Sequence, residues 1–306
     1  MQRYIVRRLI QALIMLLVVS SIVFGLSRLT GNPVALLLTE YSSEQDKIEL
    51  TKQLGFDKSI PEQYMIFISN ALRGDLGRSI RGERAPAMTL VADRFPASAQ
   101  LAVVTLIVSL SIGLPMGVVT ALKKGSITDV LVRIIALIGQ SAPVFWIGIV
   151  AMYFFSVQLR LLPSSGYGKP EQFVLPVFAL TWFTLAAIVR LTRSSMIDSL
   201  DSEYIKLARI KGLSEWIVVW KHALRNSLLP VLTYSGIILG RTIAGVVVVE
   251  TVFAWPGIGR LAYESVLGRD FPVLQAVVLV VAALFLLINL LVDVLYAYID
   301  PRIRFS

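Results

Sequence analysis

Six windows of this sequence, about 9–29, 98–122, 130–157, 173–192, 228–252 and 273–298, are apolar for long enough to cross a bilayer. A hydrocarbon core roughly 30 Å thick takes about 20 helical residues at 1.5 Å each. Inside it every backbone N–H and C=O needs an internal partner, so such windows fold as helices. Composition agrees, since 56% of the 306 residues are hydrophobic, 16% are charged and mean hydropathy is +0.74. The expected fold class is an all-α polytopic membrane protein with six transmembrane helices. The basic start Met1-Gln-Arg-Tyr-Ile-Val-Arg-Arg resembles a signal peptide. The apolar run behind it is too long and no small-residue cleavage pattern ends it, so it reads as an uncleaved first span.

Basic residues set the orientation. Arg3, Arg7 and Arg8, then Lys123, Lys124 and Arg133, then Arg190, Arg193, Lys206, Arg209, Lys211, Lys221 and Arg225, and finally Arg302 and Arg304 fall on one side. The short loops of the other side hold only Arg160, Lys169, Arg260 and Arg269. By the positive-inside rule both termini and the 193–227 loop are cytoplasmic, and the long 31–97 loop is external. The net charge of +9 follows from these loops and does not point to nucleic acid. Within the external loop, Ser43-Glu-Gln-Asp46 resembles a capping box for a helix that Gly55 stops. Pro61 opens another, with Tyr64, Phe67, Ile68, Ala71 and Leu72 on one face, suited to the outer membrane surface or to packing on neighbours.

Several chemistries are excluded. There is no Cys and one His, His222, so thiolate and His-cluster metal sites are not expected. No P-loop, His-Glu-x-x-His, Gly-x-Ser-x-Gly or dinucleotide fingerprint occurs, and no paired carboxylates sit in the spans. The chain is expected not to be an enzyme. Uphill movement of a solute then draws on an ion gradient or on a partner. Ion-coupled carriers place carboxylates or His deep in the bilayer. Here the deep ionisable residue is Arg241, with Glu250 and Asp293 nearer the span ends. That is thin equipment for an ion relay.

A partner-driven machine needs a stiff cytoplasmic contact. Asp201-Ser-Glu-Tyr-Ile-Lys-Leu-Ala-Arg-Ile-Lys-Gly212 reads as one. Ser202 is a suitable N-cap, Glu203 sits at the positive helix end, and Lys206, Arg209 and Lys211 sit toward the negative end. Gly212 supplies the left-handed stop, and Ala208 beside it lets another surface approach. Ser214 caps a second helix, with Glu215 just inside and Trp216 and Trp220 on one face. The plainer reading is a re-entry loop whose bases only fix topology.

Glu203-Tyr-Ile-Lys-Leu-Ala-Arg-Ile-Lys-Gly-Leu213, followed by Lys221-His-Ala-Leu-Arg-Asn-Ser-Leu-Leu-Pro230, resembles the EAA loop of bacterial ABC importer permeases. The form is that of the dipeptide, oligopeptide and nickel family, B-type subunit. The resemblance spans the chain, through Gly31-Asn-Pro33, Leu54-Gly-Phe-Asp57, Arg73-Gly-Asp-Leu-Gly-Arg-Ser79, Val249-Glu-Thr-Val-Phe-Ala-Trp-Pro-Gly-Ile-Gly259 and Asp300-Pro-Arg-Ile-Arg304. Leu207 and Ile210 are more apolar than is usual in this loop, and Asn32 stands where Asp is common. The resemblance implies a multi-pass protein of the bacterial inner membrane, working with a paralogous permease, two ABC ATPase subunits and an external substrate-binding protein. ATP and magnesium are then bound by the ATPases, and no cofactor or metal by this chain. It also implies that Glu203, Tyr204, Lys206, Ala208, Arg209, Gly212 and Leu213 contact an ATPase. The solute class stays broad: dipeptide, oligopeptide, glutathione, opine or nickel chelate. Two regions are expected, 1–97 with the first helix and external loop, and 98–300 with five helices and the EAA-type loop 201–230.

Small residues mark the spans. Gly113-Leu-Pro-Met-Gly117 and the series Gly236, Gly240, Ala244 let helix backbones pack closely. For the second series the favoured expectation, mostly from the resemblance, is an interface with the partner permease where the pathway opens; packing within the chain is the alternative. Arg241 costs about 2.5–3.5 kcal/mol at a span centre unless it faces protein or water. Glu250, nine residues on, lies on the opposite face of a straight helix. Arg241 is therefore either a structural ion pair with another span or the partner, or a cavity residue that attracts a carboxylate. Trp255-Pro-Gly-Ile-Gly259 is expected to form a turn and a membrane-interface anchor.

Overall fold

Every apolar window is helical in the computed structural model, which describes residues 2–29, 43–53, 55–81 and 84–299. The Gly31-Asn-Pro33 and Asp300–Arg304 motifs lie outside the described residues. The helices are α1 (Gln2–Leu29), α2 (Glu44–Gln53), α3 (Ile60–Leu72), α4 (Ala87–Leu122), α5 (Ile127–Ser141) and α6 (Val144–Met152). They continue as α7 (Pro170–Leu200), α8 (Glu203–Ile210), α9 (Glu215–Ile217), α10 (Leu224–Gly245), α11 (Val247–Val252), α12 (Ile258–Leu267) and α13 (Phe271–Ile299). Wider π-type turns extend α6 over Tyr153–Gln158 and join α9 to α10 over Val218–Ala223. No extended ladder forms among the described residues beyond one isolated bridge, Arg78 to Pro86.

Four described stretches, 6–29, 87–122, 170–200 and 271–292, are long and apolar enough to cross a membrane. A fifth crossing is counted if α5 and the α6 run form one span, but these are bent 98° from each other. The third window, expected over 130–157, is broken near its middle. Ala142 precedes Pro143 and takes the extended conformation at φ −86°, ψ 135°, as the proline ring demands of its predecessor. The expected fifth span, α10, is 22 residues long. Arg225, Asn226, Ser227, Ser235 and Arg241 leave it less apolar than the others. Val246, at φ −80° and ψ 4°, then separates it from α11.

The chain divides into two compact units, residues 1–98 with 256–290 and residues 99–255 with 291–306. In the first, α3 packs on α1: the Tyr64 and Phe67 rings lie 5.3 and 5.6 Å from that of Phe24. The Tyr64 hydroxyl is 2.8 Å from the Ser20 hydroxyl. That face is a packing surface. Its apolar core joins Ala87 and Val91 to Ile258, Leu261, Val273, Ala276 and Val277. The Arg73–Ser79 motif is a pair of left-handed glycine turns, with Gly74 at φ 81° and Gly77 at φ 88°. It delivers Ser79 to the buried Asp270, whose carboxylate accepts from the Ser79 hydroxyl and, at 3.3 Å, from the Ile80 amide.

In the second unit α7 is central. A Cβ on Gly113 would fall 2.7 Å from Ile188 Cγ2, and one on Gly117 2.5 Å from Thr192 Cβ. The Gly-x-x-x-Gly pair of α4 is thus spent on close contact with α7, and α4 continues through Pro115. Trp255 is fully buried, edge-on to Tyr167 at 4.9 Å and Phe173 at 4.6 Å. The expected interface anchor is a core residue instead, enclosed by aromatic neighbours that the linear motif does not contain.

Candidate functional site

The turn between α7 and α10 is built as a rigid knob. Ser202 opens α8 from an extended conformation, φ −75° and ψ 152°. Its carbonyl accepts the Ile205 and Lys206 amides at 3.2 Å each. Its hydroxyl does not cap α8; it donates back to the Ser199 carbonyl. Glu203 sits in the first turn, where a carboxylate meets the positive helix end. Lys206 Nζ donates to Glu203 Oε1 at 2.8 Å, and that bond raises the lysine pKa above its usual value.

Gly212 ends α8 at φ +77°, with its amide donating to the Arg209 carbonyl at 2.9 Å. An added Cβ would meet nothing within 4 Å. Glycine is needed for the backbone angle alone. Across this turn Arg209 reaches Glu215 at the start of α9, Nε to Oε1 at 2.8 Å and Nη2 to Oε2 at 3.3 Å. The pair links the two helices across the turn, but both side chains are largely exposed and such pairs contribute little on their own.

The knob has two faces. Inward, Ile205 and Ala208 are buried with Val118, Ala121, Met196, Val218, Val219 and Ala223. Full burial of a side chain such as Ile205 contributes about 1.5–3 kcal/mol. Outward, Tyr204, Leu207, Ile210, Leu213 and Trp216 are all exposed, Ile210 at 80% and Trp216 at 71%. Ala208, expected where a partner approaches, is turned into the chain's own core. Leu207 and Ile210, noted in the sequence only as departures, lie on the exposed face.

Two polar clusters hold the base. Asp129, fully buried at the start of α5, accepts two hydrogen bonds from Arg193 on α7, at 2.7 and 2.9 Å. The Gly125 amide adds a third at 3.0 Å. Ser227 on α10 donates to the α7 carbonyl of Ser195 at 3.1 Å, lies 2.8 Å from Ser199, and its carbonyl accepts from Ser195 at 3.1 Å. Sequence reasoning counted Arg193 only as a topology charge and passed over Asp129. The available signal was Ser126-Ile-Thr-Asp129, an N-cap three residues ahead of a carboxylate. Ser126 does accept the Asp129 amide, at 3.3 Å.

The second group of expected residues is dispersed. Gly236 faces the last helix of its own chain, where a Cβ would fall 2.1 Å from Val292 Cγ2. This corrects its expected place at a permease interface, because its missing side chain accommodates Val292. Gly240 is buried, and the side chain of Ala244 lies outside the described residues. Glu250 is buried on α11, beyond the break at Val246, and its carbonyl accepts the Trp255 amide at 2.7 Å. Arg241 is exposed and lines a cavity of about 230 Å³ with Gln140, Phe183 and Tyr234. No described residue forms an ion pair with it.

The chain is similar to several known proteins. The family described as binding-protein-dependent transport system inner membrane component matches residues 113–305, and the N-terminal family of such membrane components matches residues 1–102. A dipeptide transport system permease protein, DppB of Alkalihalophilus pseudofirmus, is 36% identical over the whole of both chains. A glutathione transport system permease protein, GsiC of Escherichia coli O6:H1, is 39% identical, again over the whole of both. A solved structure of the MetNI methionine ABC transporter in an inward-facing conformation shares the fold, with TM-score 0.58 and 20% identity. The match covers 70% of this chain and 97% of that one.

Proposed function

The chain belongs to the binding-protein-dependent transport system inner membrane component family, and from that premise we propose that it forms half of the pathway of a small-peptide importer. It is a multi-pass permease subunit of a bacterial ABC importer in the inner membrane. The other half of the pathway is a paralogous permease. ATPase chains supply the energy, and an external binding protein delivers the solute. Relatives named for dipeptide and glutathione transport support a small peptide or a glutathione-like solute. With α10 as a crossing enclosed by protein, six spans put both termini on the cytoplasmic side, as the basic loops require.

One observation carries the mechanism. Helix α8 has its inner face in the core with residues of α4 and α7 and its outer face, with Tyr204, Leu207 and Ile210, uncovered. A push on the outer face moves α8, and the Arg209–Glu215 bond carries that movement into α9 and the continuous α9–α10 run. Rigid-body displacement of packed helices is the ordinary way such a push opens a pathway. The rival, an ion-coupled carrier, calls for carboxylates or histidines in a relay, and the one His, His222, lies outside the expected spans. Purification separates the two. ATPase subunits co-isolating with ATP-dependent uptake support the proposal; gradient-driven uptake by this chain alone contradicts it.

A further inference from the structure

We infer that the cavity beneath the α5–α6 bend is an anion-accepting subsite of the translocation path, in which Arg241 receives the free carboxylate of the travelling solute. The inference rests on the permease reading above and adds a chemical demand on the solute. Arg241 is a charged residue in α10, the expected fifth span, and it has no ion pair among the described residues. Such a group persists where it meets water or an anion. The cavity provides the place. Its polar lining offers donors: the Arg241 guanidinium, the Tyr234 hydroxyl and the Gln140 amide. The Gln140 carbonyl oxygen is already engaged by Arg190 Nη1 at 3.4 Å, which leaves its NH2 group for the cavity. Among the described residues no carboxylate lines the cavity, so none of them competes for the guanidinium.

Size and wall chemistry narrow the occupant. About 230 Å³ is smaller than pockets that enclose a whole drug-sized ligand. It suits one end of a small peptide, with the carboxylate on Arg241 in the paired geometry that guanidinium favours and an apolar side chain against Phe183 and Ile238. Contact of this kind serves passage better when it is weak, since a tight site would hold the solute.

The native chain contains no cysteine, so a single introduced one reports on this place. In the assembled transporter in membranes, Thr242→Cys is labelled with a negatively charged sulfonatoethyl thiosulfonate and with its positively charged trimethylammonium counterpart. Each rate is divided by that reagent's rate on a small free thiol. The negative reagent is expected to be favoured about tenfold. Adding Arg241→Gln should abolish the preference, and Arg241→Lys should keep it. Alanyl-phenylalanine at millimolar concentration should slow the labelling, and its C-terminal amide should not. Tyr234→Cys repeats the test should Thr242→Cys disturb assembly. A preference unchanged by Arg241→Gln, equal protection by peptide and amide, or no labelling at either position overturns the inference. Loss of the partner permease in the Arg241→Gln transporter also overturns it, because Arg241 would then be a structural contact. ATPase subunits failing to co-isolate with the wild-type chain would instead undermine the permease reading.

Discussion

Arg193 on α7 holds Asp129 on α5 by two hydrogen bonds, at 2.7 and 2.9 Å, although 64 residues separate them in sequence. The carboxylate is fully buried, accepts from Gly125 and lies 3.4 Å from Arg133 Nε, so its charge is met by three partners. The pair ties the α4–α5 turn to the helix that leads into the 201–212 loop.

Breaking the pair from one side leaves a buried carboxylate with only the Gly125 amide and the half-exposed Arg133 to meet its charge. Arg193→Met is expected to lower the stability of the assembled transporter by about 3 kcal/mol. The double variant Asp129→Leu with Arg193→Met should recover most of that loss. Thermal unfolding midpoints of the detergent-solubilised complex check both.

Gly212 is needed for its backbone angle. Gly212→Ala, with open space around the new methyl, should cost about 1 kcal/mol through the positive φ alone. Gly212→Pro should weaken ATPase co-isolation further while leaving membrane insertion of the spans unchanged. Insertion is read by protease accessibility of the loops, and docking by the amount of ATPase retained.

Position 208 tests which face of α8 points inward. Ala208→Leu crowds the cluster around Met196 and Val218, so it should destabilise the transporter by about 1–3 kcal/mol. Leu207→Ala, half-exposed, should change stability by less than about 0.5 kcal/mol and should still reduce ATP-coupled uptake. Measuring unfolding and uptake on the same two variants separates packing from contact.

Gly236 should be intolerant of a side chain because of Val292. Gly236→Ala is expected to be destabilising, and Val292→Ala in the same chain should restore part of the loss, since the clash is between those two atoms. Rescue by a change within this chain would place the contact where the structure has it and not at a permease interface.

These residues show what could be read from the sequence. The long helices and Gly212 were legible because hydropathy and a left-handed stop are local properties. The Gly113–Gly117 pair and Gly236 announced a close approach, but not to what, since the facing helix is distant in sequence. Ala208 was placed outward by its neighbour Gly212, whereas the inward direction follows from Ile205 three residues before it, packed in the same cluster. The bend at Ala142–Pro143 was averaged away within one apolar window. Asp129 stands between two apolar windows, and only the fold brings Arg193 to it.

Cross-linking from α8 tests the coupling account most directly. With no native cysteine in the chain, Leu207→Cys and Ala208→Cys can each be probed in the assembled transporter with a short thiol-reactive linker. Leu207→Cys is expected to cross-link to an ATPase subunit, with a yield that changes when ATP is added, and Ala208→Cys to remain unlinked. Cross-linking from 208 and not 207, or from neither position to an ATPase, would contradict the claim that the outer face of α8 is where the ATPase pushes.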